Sequence, residues 1–289
     1  MSNTLIPIFI RTPGRSGSTL IMEILASSEK VAFDRRYPFE VRHLSYLTRS
    51  AQVLARPYQP KKLRELPFNW GQSFFSDRHP TFIGPMPAKS NLFEEPEYFT
   101  ALHKGLYSAF AEQILQKFPS ARFYAEKVTV DDIIEYNKKI TSCKTIYGMR
   151  DPRDQMVSIM SFNQKRGRFH FGWREDDTDV TFAKRFVKQV KNYLTSMIEL
   201  QSGPEVFKLR YEDLIYHQDK VLTELSSWLG VTVNNSYVQK HEQKILAKHS
   251  TSQSATASVA KWRHELSPQV QAIFEEGLAK ELMHFWGDL

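Results

Sequence analysis

The stretch LIPIFIRTPGRSGSTLIMEILASS, residues 5–28, contains the order of elements that decides the fold. Residues 5–12 form a short apolar run, which is typical of a buried strand. A tight loop with two glycines follows at 13–17. Apolar residues then recur at helical spacing, which predicts a helix over 18–28. The stretch therefore predicts a strand, a glycine-bearing loop and a helix, in that order.

Two later segments repeat this order. Residues 144–149 indicate a strand, after which Asp151 is placed to cap a helix and Pro152 to occupy its first position. Residues 206–209 indicate another strand, and the amphipathic helix after it ends well at Gly230. Both segments extend the pattern of the first.

Long amphipathic helices lie between these units. One begins near Pro96, another contains Phe182 and Phe186, and the last begins at Pro268. Strands that alternate with such helices predict an α/β fold, a P-loop-like single domain with a parallel β-sheet flanked by helices. Ligands of sheets of this kind bind at the carboxyl ends of the strands.

Length and composition suit a single domain over residues 1–289. The chain is 41% hydrophobic and 13% aromatic, which is enough apolar material for a substantial core. Residues 56–96 contain seven of the fourteen prolines and few periodic apolar positions. We therefore expect an irregular Pro-rich insertion there rather than a linker, and insertions of this kind often build substrate pockets.

The net charge is +7, from 39 Lys and Arg against 32 Asp and Glu. This excess fits a site for a polyanionic ligand, but charge alone does not distinguish such a ligand from nucleic acid or a membrane surface. The single cysteine, Cys143, excludes an intrachain disulfide and a thiolate metal cluster. Because we find no signal peptide and no run of about 18 apolar residues, we expect a cytoplasmic protein with no membrane span.

The first loop has the chemistry to bind a phosphate-like group. Backbone N–H groups at the start of a helix are positively polarised, and Gly17 allows the backbone to approach an anion closely. Arg15 adds a permanent cation, while Ser16, Ser18 and Thr19 add hydroxyl donors. The alternative is an ordinary strand-to-helix turn with a solvated arginine.

This loop does not match the phosphate-binding loop of nucleoside triphosphatases. That motif places four residues between its glycines and a lysine directly after the second glycine. Gly14 and Gly17 enclose only two residues, and Ser18 stands at the position of the lysine. A P-loop small-molecule kinase is therefore disfavoured, but it stays open as an alternative, together with a non-catalytic nucleotide-binding module.

Two segments resemble the nucleotide site of the sulfotransferases that use 3′-phosphoadenosine 5′-phosphosulfate (PAPS). The loop from Arg15 to Thr19 resembles the 5′-phosphosulfate loop of that family. The segment from Arg150 to Asp154, with Ser158 eight residues after the arginine, resembles the site of the 3′-phosphate. By itself the second segment is also typical of a helix start with surface charges. The resemblance implies that both segments bind the nucleotide.

Two further segments are similar to the same family. Tyr211 lies in a Tyr-Glu-Asp-Leu segment, in which the family's tyrosine approaches the adenine. Lys261 lies in a segment similar to the one that closes over the nucleotide. Ala260 departs from the pattern, since relatives of the tyrosylprotein branch often have a serine there.

The resemblance implies that a sulfuryl group moves from PAPS to a hydroxyl of a small molecule or carbohydrate, leaving adenosine 3′,5′-bisphosphate (PAP). It implies no metal requirement and no nucleic-acid partner, and it leaves the oligomeric state open. Arg15 and Lys127, the latter at the end of a predicted strand, would stabilise charge on the leaving phosphate. The alternative for Lys127 is an exposed lysine at a strand end.

The candidate general base lies in the segment after the first helix. The cytosolic branch uses a histidine two residues after the catalytic lysine, but Thr129 stands there. The tyrosylprotein and bacterial carbohydrate branches use a glutamate, and Glu40 occupies the corresponding segment. We expect Tyr37 and Pro38 to keep Glu40 partly dry and to raise its pKa. The alternative is that Glu40 is an ordinary carboxylate at a helix start.

Overall fold

A computed structural model describes residues 4–55, 95–240, 254 and 256–287. Five strands form one parallel sheet in the order β2-β3-β1-β4-β5. In chain order the strands are β1 Ile6–Arg11, β2 Val31–Ala32, β3 Phe123–Val128, β4 Lys144–Met149 and β5 Val206–Arg210. The predicted fold class, a P-loop-like single α/β domain with a parallel sheet flanked by helices, is confirmed.

Helices cover both faces of the sheet. In chain order they include α1 Ser18–Leu25, α2 His43–Ala55, α3 Glu95–Lys117, α4 Asp131–Lys138, α5 Pro152–Arg166, α6 Asp179–Glu199, α7 Tyr211–Tyr216, α8 Gln218–Leu229, α9 Trp262–Glu265 and α10 Pro268–Trp286. None of these described helices is both long enough and apolar enough to cross a bilayer.

The sheet separates two hydrophobic cores, because successive side chains of a strand point to opposite faces. Phe9 of β1 packs in the first core, with helices α2, α3, α5, α6 and α10. Ile8 and Ile10 pack in the second, with α1, α7 and α8. Phe39 belongs to the second core and Leu44 to the first. The chain between these two residues therefore crosses from one face of the sheet to the other.

The predicted strands, including the one that ends near Lys127, and the helix caps agree with the structure. Asp151 caps α5 by accepting a hydrogen bond from the backbone N–H of Arg153, and Pro152 is the first helical residue. Gly230 ends α8 in the left-handed conformation. The segment after β5 differs from the prediction, since α7 precedes α8 in place of one helix. Most of the predicted insertion, residues 56–94, lies outside the described residues.

Candidate functional site

The sequence-predicted residues meet at the carboxyl edge of the sheet. The loop with Arg15 follows β1, Arg150 follows β4 and Tyr211 follows β5. Lys127, the second-last residue of β3, is level with Ile10 of β1. Parallel pairing therefore brings four distant parts of the chain to one edge.

Gly17 allows a close approach between the first loop and α7. It precedes α1 with a φ of 85°, a left-handed conformation that favours glycine. A Cβ atom at this position would lie 2.5 Å from Cδ2 of Tyr211. The tyrosine ring therefore packs directly against the loop, and any larger residue at position 17 would displace it. Ser18 and Thr19 are the first two residues of the helix.

Two arginines lie together beside this loop. Arg15 Nε donates to Ser158 Oγ at 3.1 Å, and Arg150 donates to the carbonyl oxygens of Arg15 at 3.2 Å and Ser258 at 2.6 Å. Burial, and then the positive charge of Arg150, lower the pKa of Arg15 to about 10. The Arg15 guanidinium is therefore still charged near neutral pH, and a bound anion would offset its repulsion with Arg150.

The polar atoms of this edge fit a phosphate-bearing ligand. Ser16 Oγ and Arg150 Nε are buried, and neither has a hydrogen-bond partner among the described residues. Buried donors of this kind are costly unless they are satisfied. Ser158, 3% exposed, adds a hydroxyl two turns into α5. Across the described ranges, no group of three or more His, Cys, Asp and Glu side chains is arranged to hold a metal ion.

The segment before α9 is fixed beside the arginines by a buried carboxylate. Asp154 accepts hydrogen bonds from the backbone N–H groups of Ala260 at 2.7 Å and Trp262 at 3.0 Å. Burial raises the pKa of Asp154 to about 6. The Tyr211 hydroxyl is 2.9 Å from Ser258 Oγ. The segment therefore lies against the strand ends that bear Arg150 and Tyr211.

Lys261, predicted to close over the nucleotide, forms an ion pair within its own segment. Its ammonium lies 2.7 Å from Glu265 Oε1, one turn further along the chain. No described contact joins it to the loop or to Arg150, although it lies in the same segment.

Lys127 links the loop to the predicted base. Its ammonium donates to Thr19 Oγ1 at 2.9 Å, to the Pro38 carbonyl at 2.7 Å and to Glu40 Oε1 at 3.0 Å. Lys127 is only 4% exposed, so the alternative of an exposed strand-end lysine is wrong. Burial lowers the pKa of Lys127, although Glu40 opposes this shift.

Glu40 lies between two cations. Its Oε2 accepts from Arg42 at 2.7 Å, and its Oε1 accepts from Lys127. Burial acts to raise the pKa of Glu40, but the charges and hydrogen bonds of Lys127 and Arg42 outweigh burial and lower it. The expected rise in this pKa is therefore wrong, because the sequence did not reveal that two cations converge on Glu40.

Glu126 was missed in the sequence, and it holds the start of α2. Its carboxylate accepts from the backbone N–H groups of Leu44 at 2.6 Å and Ser45 at 2.9 Å, and from Ser45 Oγ at 2.6 Å. A buried carboxylate at a helix N-terminus is stabilised by these donors and by the helix dipole. The signal in the sequence was a pair of charged residues, 126 and 127, at the end of an otherwise apolar strand.

Comparisons with known proteins identify a family and solved structures of similar fold. A family model described as "Sulfotransferase family" matches residues 7–235. The sulfotransferase domain of the Synechococcus PCC 7002 olefin synthase is similar in structure, with 16% identity, 94% of each chain covered and a TM-score of 0.52. Mouse sulfotransferase SULT7A1, solved in complex with PAP, has 15% identity and a TM-score of 0.51, over 96% of this chain and 84% of that one. No curated protein matches the chain significantly.

Replacement of Gly17 by alanine tests the close approach of Tyr211. We expect the free energy of unfolding to fall by about 1–3 kcal/mol, because the left-handed backbone is strained in alanine and its Cβ would contact the tyrosine ring. Urea unfolding measures this change. Gly105→Ala is the matched control, since Gly105 is an exposed residue of α3 with open space around its Cβ position, and it should be neutral or stabilising. Equal stability of G17A and the wild type would contradict the packing described.

Proposed function

Because the chain belongs to the sulfotransferase family, whose model matches residues 7–235, we propose that it transfers the sulfuryl group of PAPS to a hydroxyl of a small molecule or carbohydrate. The observation that supports this most is the meeting of Arg15, Arg150 and Ser158 beside the first loop. Their spacing in sequence matches the family's nucleotide site, and their buried donors suit two separate phosphate groups.

Each end of the nucleotide has its own set of residues in this proposal. The loop from Arg15 to Thr19 binds the 5′-phosphosulfate, with backbone N–H groups, hydroxyls and one guanidinium. Arg150 and Ser158 bind the 3′-phosphate. Tyr211 contacts the adenine, and Lys261 closes over the nucleotide only if it leaves Glu265. Mouse SULT7A1, which shares the fold, was solved with PAP, the product that PAPS leaves.

PAPS supplies the activated sulfuryl group, and the residues of this chain position it and stabilise charge. Reactions with loose transition states of this kind depend mainly on positioning and on fixed cations. Arg15 lies in the loop and Lys127 donates to Thr19 at its end, so these two are the candidate cations for this charge. All three N–H bonds of Lys127 are donated to protein acceptors. Contact with a phosphate oxygen therefore requires one of them, most simply the bond to Thr19, to be exchanged.

Glu40 takes the proton of the acceptor hydroxyl in this mechanism. Its side chain is 45% exposed, so an acceptor can reach it from solvent, and its carboxylate lies 3.0 Å from Lys127. The lowered pKa keeps Glu40 ionised over a wide pH range, at the cost of weaker basicity. The Pro-rich insertion at 56–96 completes the acceptor pocket in this proposal, and a cytoplasmic location fits the single cysteine, Cys143.

The assignment of Arg150 predicts which ligand stabilises the protein. PAP should raise the thermal midpoint far more than 5′-AMP, because only PAP has the 3′-phosphate. Arg150→Ala should weaken PAP binding by about 1.5–3 kcal/mol and leave 5′-AMP binding nearly unchanged, as measured by calorimetry. Arg122→Ala, at the opposite edge of the sheet, is the control and should bind PAP normally. Equal stabilisation by the two ligands would refute the assignment.

The role of Glu40 predicts a loss of rate without a loss of binding. Glu40→Gln should lower turnover by about 10²-fold or more, because the amide cannot accept the proton. Turnover is followed as PAP released at saturating PAPS, with the acceptor that reacts fastest in a panel of sugars, phenols and alcohols. PAP affinity should be retained, and Glu112→Gln, an exposed site on α3, should behave as the wild type.

The pH dependence separates Glu40 from other groups. A carboxylate base works only when ionised, so the wild-type rate should fall on acidification through the pKa of Glu40. Since Lys127 and Arg42 lower that pKa, this fall should lie below about pH 4.3, the ordinary value for glutamate. The Gln variant should lack it. Turnover near the wild-type value in Glu40→Gln would exclude this mechanism and would favour a non-catalytic role for the Lys127–Glu40 pair.

A further inference from the structure

A second glutamate lies beside Lys127, inside the protein. Glu23 is in α1 and is 1% exposed, and its Oε2 atom has no hydrogen-bond partner among the described residues. Burial of an ionisable carboxyl without a full set of partners is costly. The mechanism above gives this side chain no role, so its position in the helix next to the loop calls for a physical reason.

Helical geometry places Glu23 one turn after Thr19, on the same face of α1. Residues four apart lie on the same face of a helix, and Thr19 Oγ1 accepts a hydrogen bond from Lys127 Nζ. Glu23 therefore lies on the face of α1 that Lys127 contacts. Their charges affect each other, since Lys127 lowers the pKa of Glu23 and Glu23 raises the pKa of Lys127.

Tyr37 is a second titratable group that the charge of Glu23 affects. Burial, and then the negative charge of Glu23, raise the pKa of the Tyr37 hydroxyl to about 12, while Arg15 and Arg166 act in the opposite direction. The tyrosine therefore stays protonated at neutral pH. Glu23 therefore acts mainly on Lys127 of β3, whose ammonium its negative charge stabilises.

We propose that Glu23 is a positioning residue of the transfer reaction that acts through Lys127, by keeping the buried ammonium charged while Glu40 takes up the acceptor's proton. The inference rests on the proposed function. When Glu40 becomes neutral, Lys127 loses the carboxylate that offsets its burial. This happens when a cation is needed beside the leaving phosphate. Once ionised, Glu23 is a second carboxylate whose charge remains through this step, and Lys127 keeps its three protons throughout.

Turnover should depend on pH through the ionisation of Glu23. Burial is the main cause that raises the pKa of Glu23, to about 7. Ionisation of Glu23 supports charged Lys127, so turnover should increase as pH rises through this region. This increase in turnover should be partial, because below this pH range Lys127 still has Glu40 as a charged partner. On the pH profile it forms a limb near neutral pH, distinct from the acid limb that Glu40 causes.

Glu23→Gln tests the inference, because an amide has the shape of a neutral carboxyl but never ionises. At pH 8, kcat should fall by about 10-fold while the KM for PAPS and the affinity for PAP change less than about 2-fold. The limb near neutral pH should disappear. A purely structural role gives a wild-type kcat and an unchanged pH profile, which would overturn the inference. Glu112→Gln is again the control.

A second measurement does not require activity or the folding of Glu23→Gln. Carboxyl ¹³C NMR follows the titration of Glu23 in the wild type and in Lys127→Met. Removal of the ammonium should raise the midpoint of Glu23 by about 1 pH unit or more, while that of Glu112 stays constant. An unmoved midpoint overturns the inference. A moved midpoint in a protein that sulfates no acceptor would leave the Glu23–Lys127 coupling in place and reject the proposed function instead.

Discussion

Two consecutive side chains at the end of β3 hold the segment that bears Glu40 in place. Glu126 binds the backbone N–H groups at the start of α2 on one face of the sheet, and Lys127 binds Glu40 and the Pro38 carbonyl on the other. The chain from 38 to 45 is therefore fixed at both ends as it crosses the edge of the sheet. This crossing places a carboxylate beside a buried ammonium, next to the first loop. The candidate base and the candidate cation consequently depend on one strand.

The part of the site that bears Arg150 depends on a comparable set of buried carboxylates. Glu212 of α7 accepts from the backbone N–H of Asp151 and from the indole of Trp286, each at 2.9 Å. Asp154 fixes the segment before α9 in the same manner. These contacts hold the turn after β4 in place, so Arg150 faces the loop and donates to the Arg15 carbonyl. Arg15 and Arg150 lie together at this edge, while Glu212 and Asp154 hold the surrounding turns, an arrangement that suits an anionic ligand.

The sequence was informative where the physical signal is local. Periodicity gave β1, the loop and α1, and the capping pattern at Asp151 and Pro152 placed Arg150 at a strand end. The sequence was uninformative where the role of a residue depends on partners that are distant in the chain. Glu126 finds its partners 81 and 82 residues away, and the direction of the Glu40 pKa is set by Lys127, 87 residues away. The two-residue strand β2 is too short for periodicity to mark.

Transfer of label from ³⁵S-PAPS tests the central claim most directly. The wild-type protein is incubated with the labelled donor and a panel of sugars, phenols, lipids and cell extract, and both labelled product and PAP are quantified. The account predicts that at least one acceptor hydroxyl becomes labelled, with one PAP formed for each sulfate ester and no dependence on ATP. Tight binding of PAPS with no labelled product from any acceptor class would contradict it and would indicate a nucleotide-binding module.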